Sequence, residues 1–146
     1  MILLVEDNQD EEELTIMALR KNNIRNEVIV VRDGVEALDY LWGTGKYLNR
    51  DMSLMPSLVL LDLNLPRMNG IEVLRHLRTA ERTRLIPVVV LTTSSDRKDV
   101  SGSYEVGANS YIVKPVDFEQ FVEVVKCLGP YWLILNELPV IGERNT

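Results

Sequence analysis

The sequence predicts a doubly wound α/β domain, and three observations carry that expectation. Five short apolar runs recur along the chain, at Ile2–Val5, Val28–Val31, Leu58–Leu61, Val88–Leu91 and, more weakly, Tyr111–Val113. Runs of this kind, rich in Val and Leu and without polar alternation, read as strands buried on both faces, which points to a parallel sheet. The segments between them carry helical spacing and helix-start signals, so strand and helix alternate along the chain.

The elements follow in order. After Ile2–Val5, Asn8 and Glu11 have the spacing of a capping box that opens the first helix. Asp33 and Glu36 repeat that spacing after the second run, and Val35, Leu38 and Leu41-Trp42 then recur at helical intervals. Gly43–Pro56 is a long polar connection with no period. Its Gly43-Thr44-Gly45-Lys46 glances at a P-loop, but Tyr40 stands where the first Gly is required and Tyr47 replaces Ser/Thr, so that reading fails. Ile71, Leu74 and Leu77 mark the third helix. Arg97–Val106 should be the fourth, although Ser101-Gly102-Ser103 lies at its centre. Gly in a helix costs about 1 kcal/mol relative to Ala, so this helix is marginal and suited to movement. Asp117 with Gln120 opens a last helix, Phe118–Leu128, with Phe121, Val122 and Val125 on its apolar face. Gly129-Pro130 should end or kink it. Beyond, Tyr131, Ile134, Leu135 and Leu138 form an apolar helical stripe reinforced by Trp132 and stopped by Pro139. The expected organisation is one domain over 1–128 and an apolar extension over 129–146, with no output domain.

Composition narrows the function classes. Hydrophobic residues make up 46% and charged residues 26% of the 146, an ordinary globular mixture. Sixteen Lys and Arg against 22 Asp and Glu leave a net charge of −6, which disfavours nucleic acid or an anionic membrane as a direct partner. The single cysteine, Cys127, excludes an intramolecular disulfide and fits a reducing compartment. The start, Met1–Val5, runs into Glu6 and Asp7 and lacks the form of a signal peptide, and no stretch is long enough to span a bilayer. A cytoplasmic domain is the expectation.

In open parallel sheets, ligands bind outside the carboxyl ends of the strands. The residues just past the strands here are Glu6 and Asp7, Asp62, Thr92 and Thr93, and Lys114-Pro115. Each alone has an ordinary structural explanation as a cap, a turn residue or a solvated charge. Asp62 is the hardest to dismiss, because it directly follows Leu58–Leu61, where an uncompensated charge is costly. Carboxylates gathered with few cations favour a hard divalent cation, and magnesium suits one or two carboxylates with waters and a phosphoryl oxygen. A carboxylate can also be the nucleophile that forms an aspartyl-phosphate, with a metal and a Lys neutralising the phosphoryl oxygens. Asp62 would attack, Lys114 would supply the cation, Thr92 a hydroxyl donor and Asn64 a backbone carbonyl.

At these residues the sequence resembles the receiver domains of two-component response regulators, from Leu3 to about Leu128. The motifs are Leu4-Val5-Glu6-Asp7-Asn8, then Leu61-Asp62-Leu63-Asn64-Leu65-Pro66 leading to Met68-Asn69-Gly70, then Leu91-Thr92-Thr93, Gly107-Ala108 and Tyr111-Ile112-Val113-Lys114-Pro115. The resemblance implies a flavodoxin-like sheet of strand order 2-1-3-4-5 with helices on both faces. It implies Glu6 and Asp7 as the acidic metal pair, Asp62 as phosphoacceptor, and Asn64 as a metal ligand through its carbonyl. Thr92 and Tyr111 become the switch pair, Lys114 the phosphate-binding lysine, and Lys114-Pro115 a cis peptide bond. Mg²⁺ is the implied cofactor, with Mn²⁺ able to substitute.

Within that superfamily the chain resembles the stand-alone regulators of phytochrome-type and related histidine kinases, through Gly45-Lys46-Tyr47, Leu63-Asn64-Leu65-Pro66 and the apolar tail. It departs from the general pattern in starting its first strand at Met1 and in carrying Thr93 where a smaller residue is usual, which narrows access to Asp62. A flavodoxin-type carrier would need a hydroxyl- and Gly-rich loop where Glu6-Asp7-Asn8-Gln9-Asp10 stands. A haloacid-dehalogenase-type phosphatase would need Asp in place of Asn64. His76 has no metal-ligand partner at the right spacing, and Cys127 reads as packing. The expected function is a Mg²⁺-dependent phosphoacceptor, not an enzyme acting on a separate substrate. It would be served by a sensor histidine kinase and would form a homodimer through the surface of its fourth helix, fifth strand and fifth helix together with the tail. The alternative is a constitutive receiver-shaped scaffold that never takes phosphate.

Overall fold

The computed structural model describes residues 1–130, with side chains to 126. The strands are β1 (Ile2–Val5), β2 (Val28–Val31), β3 (Leu58–Leu61), β4 (Val88–Thr92) and β5 (Ser110–Val113). They form one parallel sheet of order β2-β1-β3-β4-β5. The helices are α1 (Gln9–Lys21), α2 (Gly34–Trp42), α3 (Gly70–Thr79), α4 (Arg97–Val106) and α5 (Phe118–Pro130). The connection after α2 is not featureless, for Gly45–Tyr47 closes a 3-10 turn whose Tyr47 stacks edge-on against Tyr40.

The apolar runs divide by alternation between the two faces of the sheet. Leu3, Val5, Val59, Leu61, Val88 and Val90 pack with α2 and α3, while Ile2, Leu4, Leu58, Leu60, Val89 and Leu91 pack with α1 and α5. Every residue of β1, β3 and β4 is buried, which is why these strands lack polar alternation. Each helix from α1 to α4 starts on a side chain that accepts a backbone amide: Asn8, Asp33, Asn69 and Asp96. Gly70 opens α3 where a Cβ would stand 2.3 Å from the Asp62 carbonyl, so only glycine lets the helix start this close to β3.

The backbone of α5 is helical to Pro130, so the break expected at Gly129-Pro130 falls at the limit of the described residues. Tyr131, Trp132, Ile134, Leu135 and Leu138 lie outside the described residues, as does the Cys127 side chain. The cis bond implied at Lys114-Pro115 is corrected: among the described residues no peptide bond is cis. The trans isomer is the intrinsically favoured one for X-Pro, by about 0.5–1 kcal/mol. In that isomer Lys114 donates its amide to the Thr92 carbonyl at 2.7 Å and still turns its ammonium to the acids of β1 and β3. No helix among the described residues is long and apolar enough to cross a membrane.

Candidate functional site

The carboxyl ends of β1, β3, β4 and β5 converge because the strands are parallel and in register. Asp62 follows β3 directly, its amide donating to the Val5 carbonyl at 3.1 Å, and it is 7% exposed. Its Oδ1 accepts the Asn64 amide at 3.2 Å. Glu6, past β1, is 1% exposed. Lys114, past β5, bridges the two. Its Nζ lies 2.5 Å from Glu6 Oε1, 3.5 Å from Asp62 Oδ2 and 3.5 Å from Glu11 Oε1.

Burial sets the electrostatics. Removal from water pushes the Glu6 carboxyl up to about 7, against the pull of Lys114. Burial alone would pull the Lys114 ammonium down. Its bond to Glu6 and the charges of Glu6, Asp62 and Glu11 outweigh that, and its pKa lies above the usual lysine value.

Glu6, Glu11 and Asp62 each offer an oxygen, all within 4.8 Å of one another, whereas Asp7 is exposed and outside that group. Glu11 was legible only as half of a capping box. An all-oxygen, mainly carboxylate donor set suits a hard cation such as Mg²⁺ or Mn²⁺, so the residues present fit the expected metal. The Asn64 carbonyl sits in the loop that leaves Asp62.

On the β4 side, Thr92 is fully buried. Its Oγ1 accepts the Ser94 amide at 3.5 Å. Thr93 is exposed and lines a groove of about 200 Å³ with Glu11, Lys114, Pro115, Val116 and Phe121. Tyr111 packs against the core and donates its hydroxyl to the Ser94 carbonyl at 2.8 Å, and burial raises its phenol pKa. Ser94 in turn donates its hydroxyl to Asp99 of α4 at 2.6 Å. The loop after β4, helix α4 and strand β5 are thus tied through Ser94, a residue that carries no motif.

Arg78 was also silent in the sequence. Its guanidinium donates to the carbonyls of Gly107 and Ile86, at 2.9 and 2.8 Å, and to Asn109 Oδ1 at 2.9 Å, which fastens the C-terminal end of α4 to α3. His76 stacks edge-on with Trp42, away from the acids.

Known proteins share this fold. Response regulator Rcp1 of Synechocystis sp. is 40% identical over 139 residues, which cover 95% of this chain and 92% of Rcp1. The crystal structure of Mn²⁺-bound Rcp1 matches with a TM-score of 0.85 at 39% identity, over 95% of this chain and 98% of that one. The phosphorylated cyanobacterial phytochrome response regulator RcpA matches with a TM-score of 0.86 at 41% identity, over 95% and 97% of the two chains. The bacteriophytochrome response regulator RtBRR is 51% identical with a TM-score of 0.76, over 94% and 82%. The response regulator receiver domain family matches residues 2–126, the whole sheet with α1 to α4 and most of α5, and the chain belongs to that family.

Proposed function

We propose that this receiver domain accepts a phosphoryl group from a phosphohistidine of a sensor histidine kinase onto Asp62. The observation that carries the reading is a carboxylate 7% exposed at the end of a fully buried strand, with a lysine ammonium and a second buried acid beside it. Burying such charges is costly, and a site that must neutralise an incoming phosphate is a reason to keep them. In the transfer, an Asp62 oxygen bonds to phosphorus as the phosphorus–nitrogen bond breaks, and the electron pair leaves on the imidazole. Glu6, Asp7, Asp62 and the Asn64 carbonyl would hold Mg²⁺, with Asp7 contributing from the exposed rim. When bound, the metal supplies positive charge to the phosphoryl oxygens. Lys114 pairs with the phosphoryl group from the β5 side, and Thr92 donates its hydroxyl to it. Because Tyr111 and Asp99 are both bonded to Ser94, displacement of the Thr92–Ser94 loop carries to β5 and α4. In this reading the domain carries out the transfer on itself and not on a separate substrate.

The names of RcpA and RtBRR support a phytochrome-type kinase as the partner, and the cytoplasm is the compartment that goes with this reading. A homodimer through the face of α4, β5 and α5 completes the reading. Tyr104, Val113 and Val116 are exposed there, at 50%, 41% and 107%. Sedimentation equilibrium of the full chain beside one ending at Leu128 checks the dimer, and two monomers would reject it. For the phosphoacceptor, intact mass after acetyl phosphate and Mg²⁺ should show one added phosphoryl group in the wild type and none in Asp62→Asn, with slowed labelling in Asp7→Asn. Stoichiometric labelling of Asp62→Asn would refute the assignment.

A further inference from the structure

Glu11 is the third residue of α1, where a capping-box glutamate normally reaches back to the amide of the N-cap residue. Here only half of that box is made. Asn8 Oδ1 accepts the Glu11 amide at 3.0 Å, but the Asn8 amide donates to Glu6 Oε2 at 3.3 Å. Glu6 has taken over the return bond, and the Glu11 carboxylate is released from it. Among the described residues the one partner of that carboxylate is Lys114, at 3.5 Å, the same distance at which Lys114 meets Asp62. The lysine side chain is 7% exposed and Glu11 30%, so the pair is shielded from water mainly on the lysine side.

We infer that Glu11 is a positioning residue that competes with Asp62 for the Lys114 ammonium and so restrains phosphoryl transfer, an inference that rests on the phosphoacceptor reading of Asp62. Two effects have the same sign. Lys114 must give up part of its contact with Glu11 to pair fully with the phosphoryl oxygens. The Glu11 charge, facing the same pocket, also repels a dianionic donor. With acetyl phosphate the reaction forms the Asp62–phosphorus bond and breaks the phosphorus–oxygen bond, and acetate leaves with the electron pair.

The test uses the full chain with Glu11→Gln and Glu11→Asp. Asp keeps the charge at the helix start but is shorter by one methylene, and therefore draws back from Lys114. In metal-free protein, the Nζ resonance of Lys114 in nitrogen-edited NMR should shift, and its protons should exchange faster, in Glu11→Gln and partway in Glu11→Asp. At saturating Mg²⁺, labelling by acetyl phosphate should be faster in Glu11→Gln by about three- to tenfold, with Glu11→Asp between. An unchanged Lys114 signal with labelling within about twofold of wild type overturns the inference and leaves Glu11 as a helix-start charge. Slower labelling in Glu11→Gln that recovers as Mg²⁺ is raised also overturns it, by making Glu11 a metal ligand. If the wild type takes no phosphate, the phosphoacceptor reading fails separately, and the Lys114 signal still decides whether Glu11 holds the ammonium.

Discussion

The two halves of the site's edge are built differently. On one side, β1 and β3 are buried at every residue and deliver Glu6 and Asp62, while α3 behind them buries Gly70, Val73, Leu74 and Leu77. On the other, β5 is only half-buried and α4 buries Ser103 alone. Local stability follows buried apolar contact, so the acids stand on a firm half and the hydroxyl-bearing side adjoins a soft one. The softness is itself graded. Arg78 fastens the C-terminal end of α4 through Gly107, so the yielding part is the N-terminal end, next to Ser94. A site arranged this way can keep its acids fixed while the surface beside it changes shape.

The firm half breaks visibly where α3 starts against β3. A Cβ at position 70 would meet the Asp62 carbonyl at 2.3 Å and Leu63 Cα at 2.7 Å, both backbone. Gly70→Ala should therefore cost roughly 3 kcal/mol in urea unfolding, from overpacking that no side chain can relieve.

A second prediction concerns the charge buried in that half. Glu6 has its carboxyl raised from 4.5 to about 7, so between those values the folded metal-free protein binds a proton that the unfolded chain does not. Its contribution to stability is fully present below the unfolded value and is lost as pH rises through about 7, of order 2–3 kcal/mol. Denaturant midpoints across this range should fall with rising pH in the wild type and flatten in Glu6→Gln. A midpoint that rises through the same window would reverse the sign.

The soft half should respond in the opposite direction and by less. Gly102 sits inside α4 with only Ile71 Cδ1 near the place of a Cβ, at 3.6 Å, an ordinary contact. Gly102→Ala should stabilise by up to about 1 kcal/mol and slow amide exchange in α4. If α4 exchange is unchanged while global stability rises, the softness has another origin.

The contrast also explains what the sequence could and could not say. β1, β3 and β4 were legible because burial on both faces writes an unbroken apolar run, and the alternation of runs with capping residues predicted the sheet. The receiver motifs marked Glu6, Asp62, Thr92 and Lys114, and the structure gathers all four at one edge. What stayed hidden depends on where a long side chain turns after folding. Nothing in Asn8-Gln9-Asp10-Glu11 tells that Glu6 will take the Asn8 amide and free Glu11 for Lys114, while Asp7 stays exposed. Arg78 looks like an ordinary basic residue in the last turn of a helix, and its carbonyl partners come from distant segments. The cis bond carried over by resemblance at Lys114-Pro115 was wrong, since so small an intrinsic preference leaves the isomer to its surroundings.

The central claim is that chemistry at Asp62, on the firm half, is read out by the soft half. Residue-resolved hydrogen exchange, with and without acetyl phosphate and Mg²⁺, tests it in the wild type and in Asp62→Asn. In the free protein α4 should exchange faster than α3 and than α5, whose Phe121 and Val125 are buried in the core. Phosphorylation should then slow exchange in the loop after β4 and in α4, leave β1 and β3 as they were, and do nothing in Asp62→Asn. Equal protection of α4 and α5 in the free protein, or the same change in Asp62→Asn, would contradict the account.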